Sequence, residues 1–452
     1  MRGCPLNPEL FNFCSVLPVE WGFKAVIMKV PKKRLLIIET VSVSFKDFKA
    51  RLSTSAAAVR AGGGRYDAVL CMPKAHADSI GGAASVFSKI LMYEDFDSNH
   101  TLELDVVAEH KRSPFSRIVT FRERMVMRAA YLRSYLGIPG QKVAGAQVFR
   151  DKYLMKQVSV SRHIPTPKFA AINSMVDLIG FAGKMGYPFI IKPRTDAGMH
   201  GFHVLRSPRD LRRIAAELCR GSRFDQFPAM IAEEYCGHKM AHVDGIWGRN
   251  GLVSVCSSLY KGLGPQHRLP AGKLPMSGSI MLAPGSPLAI RLEEFTGKLM
   301  RALPAPDLTT FHAELWITAS GKILLNEVAS RSGGMFIHPM LHAAFGRHLE
   351  TDLVRLCAGE KVKAGKFPPR LAANFRVPVR SGRVKRIPQS CPLEWVHLYL
   401  PSYKKGAVVP PARYWYSNMA TFVISAPDAT LLRVRTKQAL DWFWSETKME
   451  TM

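Results

Sequence analysis

Residues 311 to 334 read FHAELWITASGKILLNEVASRSGG. Two carboxylates, Glu314 and Glu327, interrupt otherwise apolar runs, and Arg331 and the pair Gly333–Gly334 follow closely. Period-two alternation in FHAELWIT places His312, Glu314 and Trp316 on one face of a strand and Phe311, Ala313, Leu315 and Ile317 on the other. A turn over Thr318 to Lys322 returns the chain, so Glu327 falls on the neighbouring antiparallel strand. Two carboxylates sharing a face repel unless a cation lies between them. Mg²⁺ suits such a pair, since it takes one or two carboxylates and completes its shell with phosphate and water. An amphipathic hairpin with two solvent-facing acids explains the same letters; the apolar residues flanking Glu327 favour the cation.

Two other stretches could bear chemistry. In FIIKPRTDAGMHGFHVL a β-run ends at Ile191 and is followed by Lys192; a short loop then passes Asp196, Gly198 and Gly201 before a second β-run, Phe202 to Leu205. Glycines there permit a tight strand–loop–strand turn whose N–H groups face an anion, and Lys192 adds a point charge. An ordinary turn with a surface lysine reads the same way. In MIAEEYCGHKM an apolar strand ends in Glu233, Glu234, Tyr235 and Cys236. A strand leaving a sheet there can offer an acceptor and a backbone donor to an adenine, although the pattern is unspecific.

These groups need elements to position them. A chain of 452 residues exceeds the size at which one core stops growing, so two or three domains are expected. KRLLIIET (33–40), RYDAVLCMP (65–73) and SRIVTF (116–121) read as strands of one parallel sheet, and RERMVMRAAYLRSYLG (122–137) as a helix capped by Gly137. From about 226, strands alternate and are joined by Gly-Arg-Asn-Gly and Ala-Ser-Gly-Lys turns, which predicts antiparallel sheet; a helix is expected over 336–357. The end, from MATFVIS, reads as strand, turn, helix. Residues 1–30 have no clear period.

Hydrophobic residues make up 47% and charged residues 22%, values of an ordinary globular protein, but the net charge is +28. Alone that suggests anionic partners. Residues 361–405 hold eleven Lys or Arg against one acid, Glu394, either a basic binding face or the solvated edge of a small β region. The eight cysteines form no CxxC pair, which argues against structural zinc and a disulfide framework and for a reducing compartment, the cytoplasm by default. Neither a membrane-length apolar run nor a signal-peptide layout is found.

In order, FRDKYLMKQ, KPRTDAGMHG, EEYCG, HVDG, FHAEL and NEVASRSGG resemble the ATP-grasp superfamily, in the branch of carboxylate–amine ligases whose nucleotide site is like that of biotin carboxylase. The resemblance covers roughly residues 115 to 445. It implies an α/β, three-domain architecture: an open parallel N-terminal α/β domain (1–135), a small ATP-binding flap domain (140–225) and a C-terminal domain with a basic β-rich tail (226–450), the nucleotide cleft lying between the two α+β domains. Lys152 and Lys192 would contact the ATP phosphates beneath the flap, with Gly198, Met199, His200 and Gly201 in its loop. Glu233 would hold the adenine amine, with the backbone of Glu234 and Cys236 as hinge. Glu314 and Glu327 would chelate Mg²⁺, with Mn²⁺ able to substitute. Arg331 would stabilise an acyl-phosphate, and Gly333, Gly334 and His338 would shape the carboxylate pocket, with Tyr260 and Lys261 in the same cleft.

Two departures stand out. Many relatives carry Asn two residues after the second metal Glu, where this chain has Ala329, so the third metal contact is either missing or supplied by Asn326 or another group. The flap carries Asp196 where small residues are usual. The implied partners are a small-molecule carboxylate and an amino acid or peptide amine, as in peptide ligases of natural-product pathways, with homodimerisation left open. A biotin carboxylase role is disfavoured, because no biotinyl-carrier motif or bicarbonate set is found. The alternatives are another carboxylate–amine or carboxylate–thiol ligase, and a nucleic-acid-binding protein on a decayed ligase scaffold.

Overall fold

A computed structural model describes residues 33–39, 59, 66–196, 201–218, 227–237, 239–262, 276–334, 336–362, 370–411 and 417–451. The first layer is a parallel sheet in the order β3-β2-β1-β4, from β1 (Lys33–Ile38), β2 (Tyr66–Pro73), β3 (Lys89–Tyr93) and β4 (Arg117–Thr120). The Leu35–Ile38 run is fully buried because helices cover both faces, as parallel sheets require. The helix Met125–Tyr135 ends as the letters indicate, with Gly137 at φ +69°. β3 was not anticipated: its KILMY burial pattern does not alternate.

The second sheet is antiparallel, in the order β5-β8-β6-β7, from β5 (Phe169–Ile172), β6 (Phe189–Pro193), β7 (His203–Leu205) and β8 (Met230–Glu234). Gly201 turns this hairpin at φ +63°, with Pro193 pressed so close that a Cβ would meet its Cγ at 2.8 Å. Loop residues 197–200, and with them Gly198, Met199 and His200, lie outside the described residues, as do residues 1–32.

The third sheet has eight strands in the order β13-β12-β9-β10-β11-β14-β18-β16. They are β9 (Lys239–Gly248), β10 (Gly251–Lys261), β11 (Ser277–Met281), β12 (Leu308–Ile317), β13 (Ile323–Ala329), β14 (Leu371–Pro378), β16 (Val396–Pro401) and β18 (Asn418–Ala426). All its pairings are antiparallel, and the two expected turns fall at Gly251 (φ +118°) and Gly321 (φ +79°). The apolar face of β9, β12 and β13 packs on the helix Pro287–Ala302 through Leu292, Leu299, Phe311, Ala313 and Leu315. A small sheet of β15 (Gly382–Arg386), β17 (Val408–Val409) and β19 (Lys448–Glu450) completes the fold.

Two expectations change. The helix over 336–357 is two helices, Ile337–Phe345 and Leu349–Cys357, because Gly346 adopts φ +64° and stops the first. The basic stretch 361–405 is no plain solvated edge: β14 lies inside the eight-stranded sheet with Arg376 buried, since Leu371, Ala372, Ala373 and Phe375 supply apolar side chains to both of its faces. Among the described residues no helix is long and apolar enough to cross a membrane.

Candidate active site

The register of β12 and β13 sets Glu314 directly opposite Glu327. A bulge follows: Glu314 pairs with Glu327 but Leu315 pairs with Leu325, leaving Asn326 as the extra residue. The bulge turns Asn326 toward the acids, where its Nδ2 donates to Glu314 Oε2 at 2.9 Å. The hydroxyl of Tyr260 donates to Glu314 Oε1 at 2.8 Å. Burial raises the Glu314 carboxyl, but His312 and Tyr260 outweigh it and bring the group down to about 2. Glu314 is therefore an anion at neutral pH. Glu327 is the more open of the two, its side chain 32% exposed against 19%.

Cross-strand pairing of Glu314 with His242, and of His312 with Asp244, brings a second polar group onto this face. Asp244 accepts from both imidazoles: Nδ1 of His242 lies 2.5 Å from Oδ2 and Nδ1 of His312 lies 2.8 Å from Oδ1. Burial alone would raise Asp244, but the two imidazoles hold it well below the usual carboxylate range; burial would lower His312, yet Asp244 drives it up to about 9. The Tyr260 ring packs against His242 at a tilt of 41°, with ring centroids 4.6 Å apart. These three ligand-type side chains lie close enough to hold a cation, but each already spends its facing atoms on the others. Gly333 lies on the trio: a Cβ there would meet Asp244 Oδ1 at 2.6 Å and His312 Nδ1 at 3.0 Å.

The lysines approach from the helix Lys152–Ser161 and from β6. Lys152 Nζ lies 3.5 Å from Glu327 Oε2 and also donates to the Asp196 carbonyl. Glu233, buried on β8, receives Lys192 Nζ at 3.2 Å on one oxygen and Lys156 Nζ at 3.6 Å on the other. Burial would raise Glu233, but the lysines hold it below its ordinary value. Burial draws Lys156 down despite Glu233. Lys192, with the closer contact and the added fields of Glu327 and Glu314, ends above its ordinary value although burial opposes it. Beyond β4, Glu123 binds Arg331 Nε at 2.6 Å and also Arg150, joining the parallel sheet's carboxyl end to the strand end behind the acids. Burial raises Glu123, but Arg331 and Arg150 bring it to about 2.

Lys152, Glu314, Glu327 and Tyr260 are thus joined by direct pairing and Gly333 lies against the adjoining trio, while Lys192, paired with Glu233, and Arg331 lie within the electrostatic reach of both acids. Others stand apart in their contacts. His338 is buried against Glu350 at 3.2 Å and stacked on His348. Glu234 is exposed, its carboxylate accepting from the Lys168 N–H at 3.2 Å. Cys236 is buried just beyond β8, Lys261 is exposed at the end of β10, and Gly334 faces open space.

Sequence reasoning passed over Lys156, Glu123, Arg150 and the His242–Asp244–His312 trio. Lys156 was legible as the i+4 partner of Lys152 on one helix face, and His242 and Asp244 as an i, i+2 pair on a strand. Glu123 and Arg150 carry no such signal, because their meeting depends on how separate elements pack.

No family model matches the sequence. The chain is 26% identical over 286 residues to the L-arginine-specific L-amino acid ligase of Bacillus subtilis, covering 61% of this chain and 66% of that one. It is 26% identical over 228 residues to the N5-carboxyaminoimidazole ribonucleotide synthase of Pseudomonas aeruginosa, covering 49% of this chain and 57% of the relative. The matches therefore span less than two thirds of these curated relatives. The crystal structure of an L-amino acid ligase from Bacillus licheniformis superimposes with a TM-score of 0.70 at 16% identity, over 93% of this chain and 99% of that one. The chain has the ATP-grasp fold. Its relatives in sequence are carboxylate–amine ligases, an L-amino acid ligase among them.

Proposed function

We propose that the protein is an ATP-dependent ligase that joins the carboxylate of one amino acid or short peptide to the amine of another through an acyl-phosphate, in a cytoplasmic natural-product pathway. The observation that carries this reading is the register-opposed pair Glu314–Glu327, with Lys152 3.5 Å from one acid and the Lys192–Glu233 pair alongside. The activities for which these relatives are named support the carboxylate–amine class. The three regions 1–135, 140–225 and 226–450 would serve as N-terminal, flap and C-terminal domains.

The acids fit a divalent cation: both are hard oxygen donors on one face, and Glu314 is ionised at neutral pH. Glu314 and Glu327 would hold Mg²⁺, which when bound with ATP supplies positive charge to the phosphate oxygens. Tyr260 and Asn326 fix both oxygens of Glu314, so the acid meets its ligand without rearranging. Lys152 and Lys192 would neutralise charge on the transferring phosphoryl group. Arg331, now held by Glu123, would meet the substrate carboxylate and the acyl-phosphate formed from it. Closure of the 195–201 loop would keep water from that intermediate. Glu233 would accept from the adenine amine while holding the two lysines.

The test is a screen of paired amino acids for phosphate release, with mass spectrometry of the product. Release that requires both partners, with a dipeptide mass, supports the reading. Release with either partner alone, or with none, contradicts it.

A further inference from the structure

A cavity of about 70 Å³ lies behind β4, among the helix Met125–Tyr135, the loop Pro139–Gln141, the start of β12 and Ser330. Its charge is one-sided. Arg133 is buried and donates to the Ile118 carbonyl at 3.2 and 2.7 Å and toward the Gln141 carbonyl at 3.5 Å. Arg117, half-buried on the same wall, donates to the Ser116 carbonyl at 2.9 Å. Neither guanidinium is in an ion pair among the described residues. The carboxylate on the rim, Asp307, is engaged by Arg249 at 2.7 Å.

Gln141 adds a second, independent observation. It is 7% exposed, its Oε1 accepts from Ser330 Oγ at 2.8 Å, and its Nε2 is buried with no hydrogen-bond partner. A buried donor left unpaired costs about 1–3 kcal/mol, and a buried cation without a counter-charge costs more. Burial and the neighbouring Arg117 together draw Arg133 down to about 10, although Cys357 opposes them. The two guanidiniums donate to backbone carbonyls but face no carboxylate in an ion pair among the described residues, and the Gln141 Nε2 lacks an acceptor; an oxyanion would answer both needs. A water needs about 10–15 Å³ of such space, so the cavity has room for several heavy atoms but not for a nucleotide.

We propose that this cavity binds a small oxyanion, held by Arg117, Arg133 and the Nε2 of Gln141. Inorganic phosphate and a short carboxylate share the required chemistry. Ser330 immediately precedes Arg331, and its Oγ is bonded to Gln141, so a bound anion would brace the strand end that carries Arg331 against β4. The site is separate from the acids and lysines and does not depend on the ligase reading.

The experiment measures binding of phosphate, and separately of acetate, to the full chain by calorimetry and thermal shift at constant ionic strength. Three variants accompany the wild type: Gln141→Glu, Arg117→Gln and Lys192→Met. Gln141→Glu seats a tethered carboxylate between the guanidiniums. It is expected to melt no lower than wild type in anion-free buffer and to weaken anion binding at least tenfold. Arg117→Gln should weaken binding about tenfold with little effect on folding. Lys192→Met, which alters the nucleotide cleft, should leave it unchanged. Tighter binding of phosphate than of acetate assigns a tetrahedral anion, and the reverse a carboxylate. Absence of saturable binding by either anion, or binding that survives in Gln141→Glu and vanishes in Lys192→Met, overturns the proposal.

Discussion

Substituting Glu123 by Gln removes one charge from a three-residue bridge while keeping a side chain of nearly the same shape. The Glu123 carboxylate binds Arg331 at 2.6 Å and also Arg150, and its side chain is only 17% exposed. These contacts bring its carboxyl from 4.5 to about 2, against the upward push of burial. At 1.36 kcal/mol per pKa unit, a drop of roughly 2.5 units amounts to about 3 kcal/mol of stability at neutral pH. The folded-state value is depressed, so this contribution is complete above pH 4.5 and fades as pH falls through the folded-state value near 2. Urea unfolding of wild type and Glu123→Gln at pH 7, 5, 4 and 3 should show a gap of about 3 kcal/mol that is constant at the upper two values and narrows below them. A gap under about 1 kcal/mol at pH 7, or one that does not narrow in acid, refutes the assignment of Glu123 as an ionised clasp on Arg331.

Other substitutions probe neighbouring contacts. Tyr260→Phe removes the 2.8 Å bond to Glu314 and should lower turnover about tenfold while raising the Mg²⁺ concentration needed for half-activity, read in a phosphate-release assay. Gly333→Ala places a Cβ 2.6 Å from Asp244 Oδ1 and should cost about 1–3 kcal/mol in thermal unfolding together with most activity. Asn326→Ala should raise the Mg²⁺ requirement with less effect on stability, because the bulge holds that amide against Glu314. Gly346→Ala, at φ +64° between two helices, should cost about 1–2 kcal/mol by urea unfolding with activity retained.

Much of this site was legible wherever periodicity is strict. Alternation in FHAELWIT placed Glu314 and His312 on one face and Phe311 and Ala313 on the other, and the Ala-Ser-Gly-Lys turn put Glu327 beside them. The Gly201 hairpin and the Gly137 cap followed from the φ values that glycine alone adopts cheaply. What escaped depends on packing between distant segments. Asn326 was readable as a candidate third contact, but the bulge that turns its amide onto Glu314 breaks the period that made the hairpin readable and appears only in the register. Ala329 pairs with His312 across the strands, and the His312 ring bonds to Asp244. The break at Gly346 was hidden because both flanking segments are helical in pattern. The basic tail misled for another reason: charge counts along 361–405 do not reveal that β14 joins a buried sheet.

The claim that Glu314 and Glu327 together hold the metal that serves ATP rests most directly on Glu327, the more exposed acid. The decisive measurement is phosphate release by wild type and Glu327→Gln with ATP, Mg²⁺ and an amino-acid pair that the wild type ligates, with thermal unfolding confirming that the variant is folded. If the two acids hold the metal, turnover falls at least a hundredfold in a folded variant. Turnover equal to wild type would contradict that role.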